Sequence, residues 1–106
     1  MLTDLTLHVL LAVGQGIAHG YAIGKDIHER SDGRLDPTTG ALYQALKRLA
    51  DDGLIRQVAA PAGEVDTRRK YFVLTSAGRR AVALEVKRLE SIVKLARKRR
   101  LYPAGV

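Results

Sequence analysis

The sequence contains no cysteine among its 106 residues, which excludes disulfide bridges and thiolate metal sites. Tryptophan is also absent, and aromatic residues make up only 5% of the chain. No run of about 18 apolar residues occurs, so the sequence predicts no membrane span and no membrane partner. The first residues lack the basic start of a secretory signal. We therefore expect a small cytoplasmic protein.

The charged residues are abundant but unevenly placed. Residues 1–67 hold six Lys/Arg and nine Asp/Glu, whereas residues 68–106 hold twelve Lys/Arg and two Asp/Glu. The net charge of +7 is therefore concentrated in the C-terminal part. Such asymmetry favours a polyanionic partner such as nucleic acid. The alternative is a solvated basic helix with a basic tail.

Hydrophobic periodicity predicts four helices and one β-hairpin. Apolar residues recur at steps of three and four over residues 3–14, 21–30, 38–52 and 75–100. Thr38 or Thr39 can cap the third helix, Gly53 can occupy its C-cap position, and Thr75 can cap the last. Residues 54–60 and 68–74 are typical of two strands around a loop at 61–66, and Leu35 could form a very short strand.

This order of elements is that of a winged helix-turn-helix. In that fold the third helix enters a major groove of DNA, and the hairpin, called the wing, contacts the DNA backbone beside it. We predict a mainly α fold with a small β-hairpin, followed by a long C-terminal dimerisation helix. The predicted divisions are a DNA-binding domain over 1–74, a dimerisation helix over 75–101 and a disordered tail over 102–106.

The last helix carries more apolar surface than one small domain can cover. A heptad-like seam steps by four and three along it, and further apolar residues add a second flank. The seam residues are Val82, Val86, Leu89, Val93 and Ala96. The flank residues are Leu84, Ile92 and Leu95. We expect this helix to pair with its copy in a homodimer. The alternative is that it folds back on its own core.

Three segments together resemble the PadR-like transcriptional regulators, specifically the short subgroup with a single C-terminal helix. His19-Gly20-Tyr21 is similar to the HGY element that opens the second helix. Residues 39–55 are similar to the signature GTLYPxLxRLxxxGLI, and residues 66–79 to the wing strand and the LTxxGR start of the last helix. Gln44 replaces a frequent proline, and Ala41 a common threonine. Some short members stack flat aromatic drugs on a tryptophan, so its absence argues against such drug sensing.

Candidate DNA contacts lie on three elements. Opposite its apolar side, the third helix carries Gln44, which can pair with adenine, and Lys47, which can reach guanine or a phosphate. Thr38 and Thr39 lie at a helix N-terminus, which favours phosphate, and Gly40 lets backbone approach closely. Tyr43 either contacts DNA or packs against the wing or the second helix. Tyr21 opens the second helix, where winged-helix proteins commonly contact the DNA backbone.

The wing supplies the remaining candidates, Arg68, Arg69 and Lys70. In a strand their side chains alternate, so one or two of them would reach phosphates or the minor groove. Plain solvation is the alternative. The cluster at 97–100 either attracts phosphate or complements the dipole of the helix end, and we favour the dipole.

No motif for an enzyme, a metal or a cofactor appears. His19 is predicted to be structural, and His8 and His28 have no ligand spacing. We predict a regulator that binds double-stranded DNA sequence-specifically at the nucleoid. The resemblance implies a repressor, which a small apolar or phenolic effector between the subunits would release. The alternatives are a sequence-indifferent architectural DNA binder and a protein-interaction adaptor that has lost DNA binding.

Overall fold

The computed structural model describes residues 2–16 and 18–103. Its elements in chain order are α1 (Asp4–Val13), β1 (Ala18–His19), α2 (Gly20–Arg30), α3 (Thr39–Asp51), β2 (Ile55–Val58), β3 (Tyr71–Leu74) and α4 (Ser76–Lys98). This architecture confirms the predicted mainly α fold with a small sheet and a long C-terminal helix. None of these helices has the combination of length and apolar character that crossing a bilayer requires.

Three of the four helices described here are capped by threonine at their N-termini. Thr3, Thr38 and Thr75 each accept a backbone N–H in the first turn of α1, α3 and α4. Of the two caps proposed for α3, Thr38 is therefore the one used. Its C-cap is Asp52, so the prediction of Gly53 there was wrong by one residue. Gly53 follows with a φ of 75°, a left-handed conformation that costs glycine little.

The sheet has three antiparallel strands in the order β1-β3-β2. The predicted hairpin is present as β2 and β3, but both strands are shorter than expected. Strand β1 was not predicted, and it pairs Ala18 with Phe72 and His19 with Tyr71. Leu35 does not form a strand, because its N–H binds the Ser31 hydroxyl at 3.0 Å in the turn after α2.

The core lies between α1, α2, α3 and one face of the sheet. Its fully buried side chains are Val9, Leu10, Val13, Ile23, Ile27, Leu46, Leu49 and Ile55. The first turns of α4 join this core through Val82, while Gly78 packs against the chain before β2. This packing fixes α3 and the hairpin relative to each other.

Beyond its first turns, α4 leaves most of its apolar side chains exposed. Val82 packs partly against the domain's own core. The beginning of the seam therefore folds back on this core, as the alternative to dimerisation predicted. Val86, Leu89 and Val93 remain 38–45% exposed. After the helix, Tyr102 lies under the Arg97 guanidinium at 4.0 Å. Residues 104–106 of the predicted tail lie outside the described residues.

Candidate nucleic-acid interface

Helix α3 buries one side and presents the other to solvent. Leu42, Ala45, Leu46 and Leu49 are buried. Gly40, Gln44 and Lys47, spaced by four and three residues, share the opposite exposed side. An amide, a cation and a site without a side chain therefore lie together on a helix of a size that fits a major groove.

Two charged neighbours modify this surface. Lys47 pairs with Asp51 at 2.9 Å, but both side chains are largely exposed, so the pair contributes little and a phosphate can replace the carboxylate. Arg48 flanks Gln44 on the same exposed helix, together with residues from the start of α1. Its position one turn after Gln44 makes it a further candidate contact that sequence reasoning left out.

The N-terminus of α3 is open to a ligand. The Thr38 hydroxyl accepts the amide of Ala41 at 3.1 Å, and Thr38, Thr39 and Gly40 are all exposed. Nothing lies within 4 Å of the place where a Cβ on Gly40 would be. Glycine is therefore not needed here for the packing of the domain itself.

Tyr43 packs against α2, which is one of the two alternatives the sequence left open. A Cβ on Gly20 would lie 2.7 Å from the Tyr43 hydroxyl oxygen, so the phenol lies directly over the first residue of α2. The side chain nevertheless remains 47% exposed. Packing and DNA contact are therefore compatible for this residue.

The start of α2 is organised by His19. Its Nδ1 accepts the amide of Ala22 at 3.3 Å, which agrees with the predicted structural role. Its ring also stacks beside Tyr21, which is 71% exposed. Lys25, one helical turn after Tyr21, lines the same groove between α2 and α3. The spacing of four residues from Tyr21 was the signal that could have identified Lys25.

The wing differs from the predicted strand. Arg68, Arg69 and Lys70 lie before β3, so the expected alternation of their side chains was wrong. The physical reason is a turn in which the Asp66 carboxylate accepts the Arg68 amide at 3.0 Å and the Arg68 Nε at 3.2 Å. Arg69 approaches Glu64 at 3.4 Å. For Lys70, the described part of the chain offers no ion-pair partner.

The wing carboxylates remain ionised at neutral pH. The hydrogen bond from the Arg68 side chain holds the pKa of Asp66 below its usual value, and the same bond raises the pKa of Arg68. The pKa of Glu64 is lowered mainly by the backbone amide of Asp66. Bound phosphate would therefore compete with two charged carboxylates for these arginines.

The candidates fall into two groups, one on α2 and α3 and one in the wing. Lys70 directly precedes β3, whose first residue, Tyr71, pairs with His19 just before α2. The wing arginines lie in the loop that follows β2.

The histidines His8 and His28 take part in contacts elsewhere, with Arg30 and Asp36 respectively. Within residues 2–16 and 18–103, no group of His, Asp or Glu side chains is arranged to hold a metal.

Comparison with known proteins identifies the family. The model of the transcriptional regulator PadR-like family matches residues 9–84, so the chain belongs to this family. This confirms the resemblance drawn from the motifs and assigns the chain to DNA-binding regulators rather than enzymes. The chain is also 40% identical over 82 residues to an uncharacterized 37.1 kDa protein in a transposon of Streptomyces fradiae. That alignment covers 77% of this chain but spans only 22% of the relative's length.

Solved structures share the fold. A PadR family transcription regulator from Clostridium difficile is similar with a TM-score of 0.76 and 23% identity, covering 91% of this chain and 97% of that one. A transcriptional regulator from Clostridium thermocellum has a TM-score of 0.75 and 23% identity, with coverages of 92% and 97%. RosR of H. salinarum is 26% identical, with a TM-score of 0.70 and coverages of 87% and 77%.

Proposed function

We propose that this protein regulates transcription by binding DNA sequence-specifically in the cytoplasm, at the nucleoid, with α3 as the recognition helix. The observation that carries the proposal is the exposed side of α3. Gln44 is exposed there, and its amide can donate to and accept from an adenine edge. An architectural binder needs only phosphate contacts and has no use for an uncharged hydrogen-bonding side chain at the centre of this helix.

The phosphate contacts come from the surrounding elements. The side chains of Tyr21 and Tyr43 lie at the start of α2, Lys70 directly precedes β3, and the amides at the start of α3 add a site for an anion. The basic C-terminal part contributes non-specific attraction. Affinity and base discrimination are thus supplied by different residues.

The proposal includes a homodimer that binds a pseudo-palindromic operator. Its support is the exposed apolar seam of α4, for which an isologous pairing of two copies offers the simplest cover. From the family resemblance we further propose that the protein is a repressor and that it belongs to the short subgroup with a single C-terminal helix. The resemblance also adds release by a small apolar or phenolic effector. A groove of about 590 Å³ between α1 and α4, lined by Leu10, Val82 and Val86 among others, has room for one.

Replacing Gln44 with alanine tests base recognition. We expect Gln44→Ala to weaken binding to a site selected from random duplexes about 5- to 150-fold, since a bidentate base contact contributes about 1–3 kcal/mol. Binding to scrambled DNA should change less than about twofold, because phosphate contacts carry it. Fluorescence anisotropy titrations measure both affinities.

Gln15→Ala is the matched control, since Gln15 is exposed beside the groove between α1 and α4. If Gln44→Ala weakened binding to selected and scrambled duplexes equally, Gln44 would have no role in reading bases.

Replacing Gly40 with alanine tests how closely DNA approaches α3. Gly40→Ala should stabilise the free protein by up to about 1 kcal/mol, because alanine favours helix and the site is open. The added methyl should nevertheless weaken DNA binding about tenfold, the cost expected when a close contact is overpacked. Urea unfolding and anisotropy titration separate the two effects. Unchanged affinity in the stabilised variant would mean that DNA does not approach this turn of α3.

A further inference from the structure

We infer that Glu64 and Tyr71 are positioning residues for the wing, which together hold its basic residues in register with the start of α2. The inference rests on the proposed function, because it concerns how the wing meets DNA. Neither residue would itself touch DNA. Their effect is to place Arg68, Arg69 and Lys70 where one DNA strand can be contacted together with Tyr21.

The wing needs such a device because it is not a tight hairpin. The last pair of the ladder is Val58 with Tyr71, and the intervening residues 59–70 form no strand. A loop of this length carries a large conformational entropy, which has to be offset by specific contacts if the basic side chains are to be preorganised.

Glu64 supplies these contacts. One carboxylate oxygen accepts the backbone amide of Asp66 at 2.8 Å. The other accepts the hydroxyl of Tyr71 and lies 3.4 Å from Nη1 of Arg69. The Glu64 side chain is only 11% exposed, so it is held inside the loop instead of projecting into solvent. A single carboxylate thus ties the loop backbone, an arginine and the central strand together.

Tyr71 carries the connection on to α2. It is 5% exposed, in the central strand of the sheet, and its ring packs nearly perpendicular to that of His19, with 5.2 Å between the ring centroids. His19 in turn caps α2 and stacks beside the exposed Tyr21. The chain of contacts from Glu64 to Tyr21 therefore joins two elements that the proposed function places on DNA.

The same contacts allow a different effect, in which Glu64 merely neutralises Arg69. The two roles of Glu64 predict opposite changes in DNA affinity when its contacts are loosened. If Glu64 acts as a competitor of phosphate, loosening it should strengthen DNA binding. If it acts as a positioning residue, loosening it should weaken binding even though a cation is released. The number of hydrogen bonds that Glu64 accepts, two of them from partners other than the arginine, favours positioning.

The test compares the wild type with Tyr71→Phe, which removes the hydroxyl but keeps the ring and every charge. DNA affinity is measured against salt concentration, since the slope of log K against log salt counts phosphate contacts. We expect the slope of Tyr71→Phe to be shallower by about 1 to 2. Arg69→Ala should weaken the wild type but have little further effect in the Tyr71→Phe background. Tyr102→Phe, at the far end of the chain, is the matched control.

The variant Glu64→Gln should change the slope in the same direction. Because Glu64 lies in the loop outside the core, this variant keeps the test valid if Tyr71→Phe does not fold. The outcomes are distinct. A wild type without salt-dependent DNA binding would contradict the proposed function itself. Normal wild-type binding with an unchanged slope in both variants, or tighter binding by either, would overturn the positioning role.

Discussion

Gly78→Ala is expected to destabilise the fold by about 3 kcal/mol, although the same change in an open helical position is stabilising. A Cβ on Gly78 would overlap the carbonyl oxygen of Leu54 and lie 2.7 Å from Cδ1 of Leu74. The Leu54 carbonyl cannot move freely, because it accepts the amide of Thr75 at 3.2 Å. The added methyl therefore has to separate α4 from the chain leading into β2.

The size of this effect follows from how little stability such a domain has to lose. A net stability of about 5–15 kcal/mol is usual, so a loss of about 3 kcal/mol lowers the midpoint of urea unfolding clearly. Gly40→Ala is the matched control, as it also lies in the first turn of a helix but has open space around its Cβ position. Equal midpoints for the two variants would show that α4 does not pack on Leu54 in this way.

Leu89→Glu is expected to weaken dimerisation by about two to four orders of magnitude. Leu89 lies in the middle of the seam and is 38% exposed in the single chain, so the change costs the monomer little. In an isologous pairing each substitution occurs twice. Each of the two leucines then loses the burial that the dimer adds to it, about 0.6–1.1 kcal/mol, and the cost of burying two carboxylates supplies the larger part of the effect.

Light scattering after size-exclusion chromatography measures the result at micromolar concentration. Ser91→Glu introduces the same charge on the opposite side of α4 and should leave the dimer intact. A wild-type monomer under these conditions would refute the proposed dimer. Dissociation by both glutamates would point to a general effect of charge on α4 instead of a defined seam.

Much of the fold could be predicted because its signals are local. Periodic apolar residues and threonine caps define α1, α3 and α4, and they also orient α3 with Gln44 and Lys47 outward. Strand β1 could not be found in this way, since two residues show no periodicity and their partner strand lies far along the chain. The packing of Tyr43 on Gly20 is likewise a tertiary contact.

The wing was the part of the candidate site least accessible to sequence reasoning. Arg68-Arg69-Lys70 before an alternating segment predicts a strand, but the carboxylate of Asp66 instead stabilises a turn. Tyr71 belonged to the predicted alternating strand, but its partnership with Glu64 depends on the folding of the loop over β3, which no local pattern indicates. The acidic residues beside the arginines were the available signal.

Competition binding tests the central claim, that α3 discriminates between base sequences, most directly. Labelled duplex selected from a random pool is bound by the wild-type protein and displaced with either the same duplex or a scrambled one at fixed salt. Specific recognition predicts that at least about 10³-fold more scrambled DNA is needed. Equal displacement by both duplexes would contradict sequence-specific recognition and favour an architectural role.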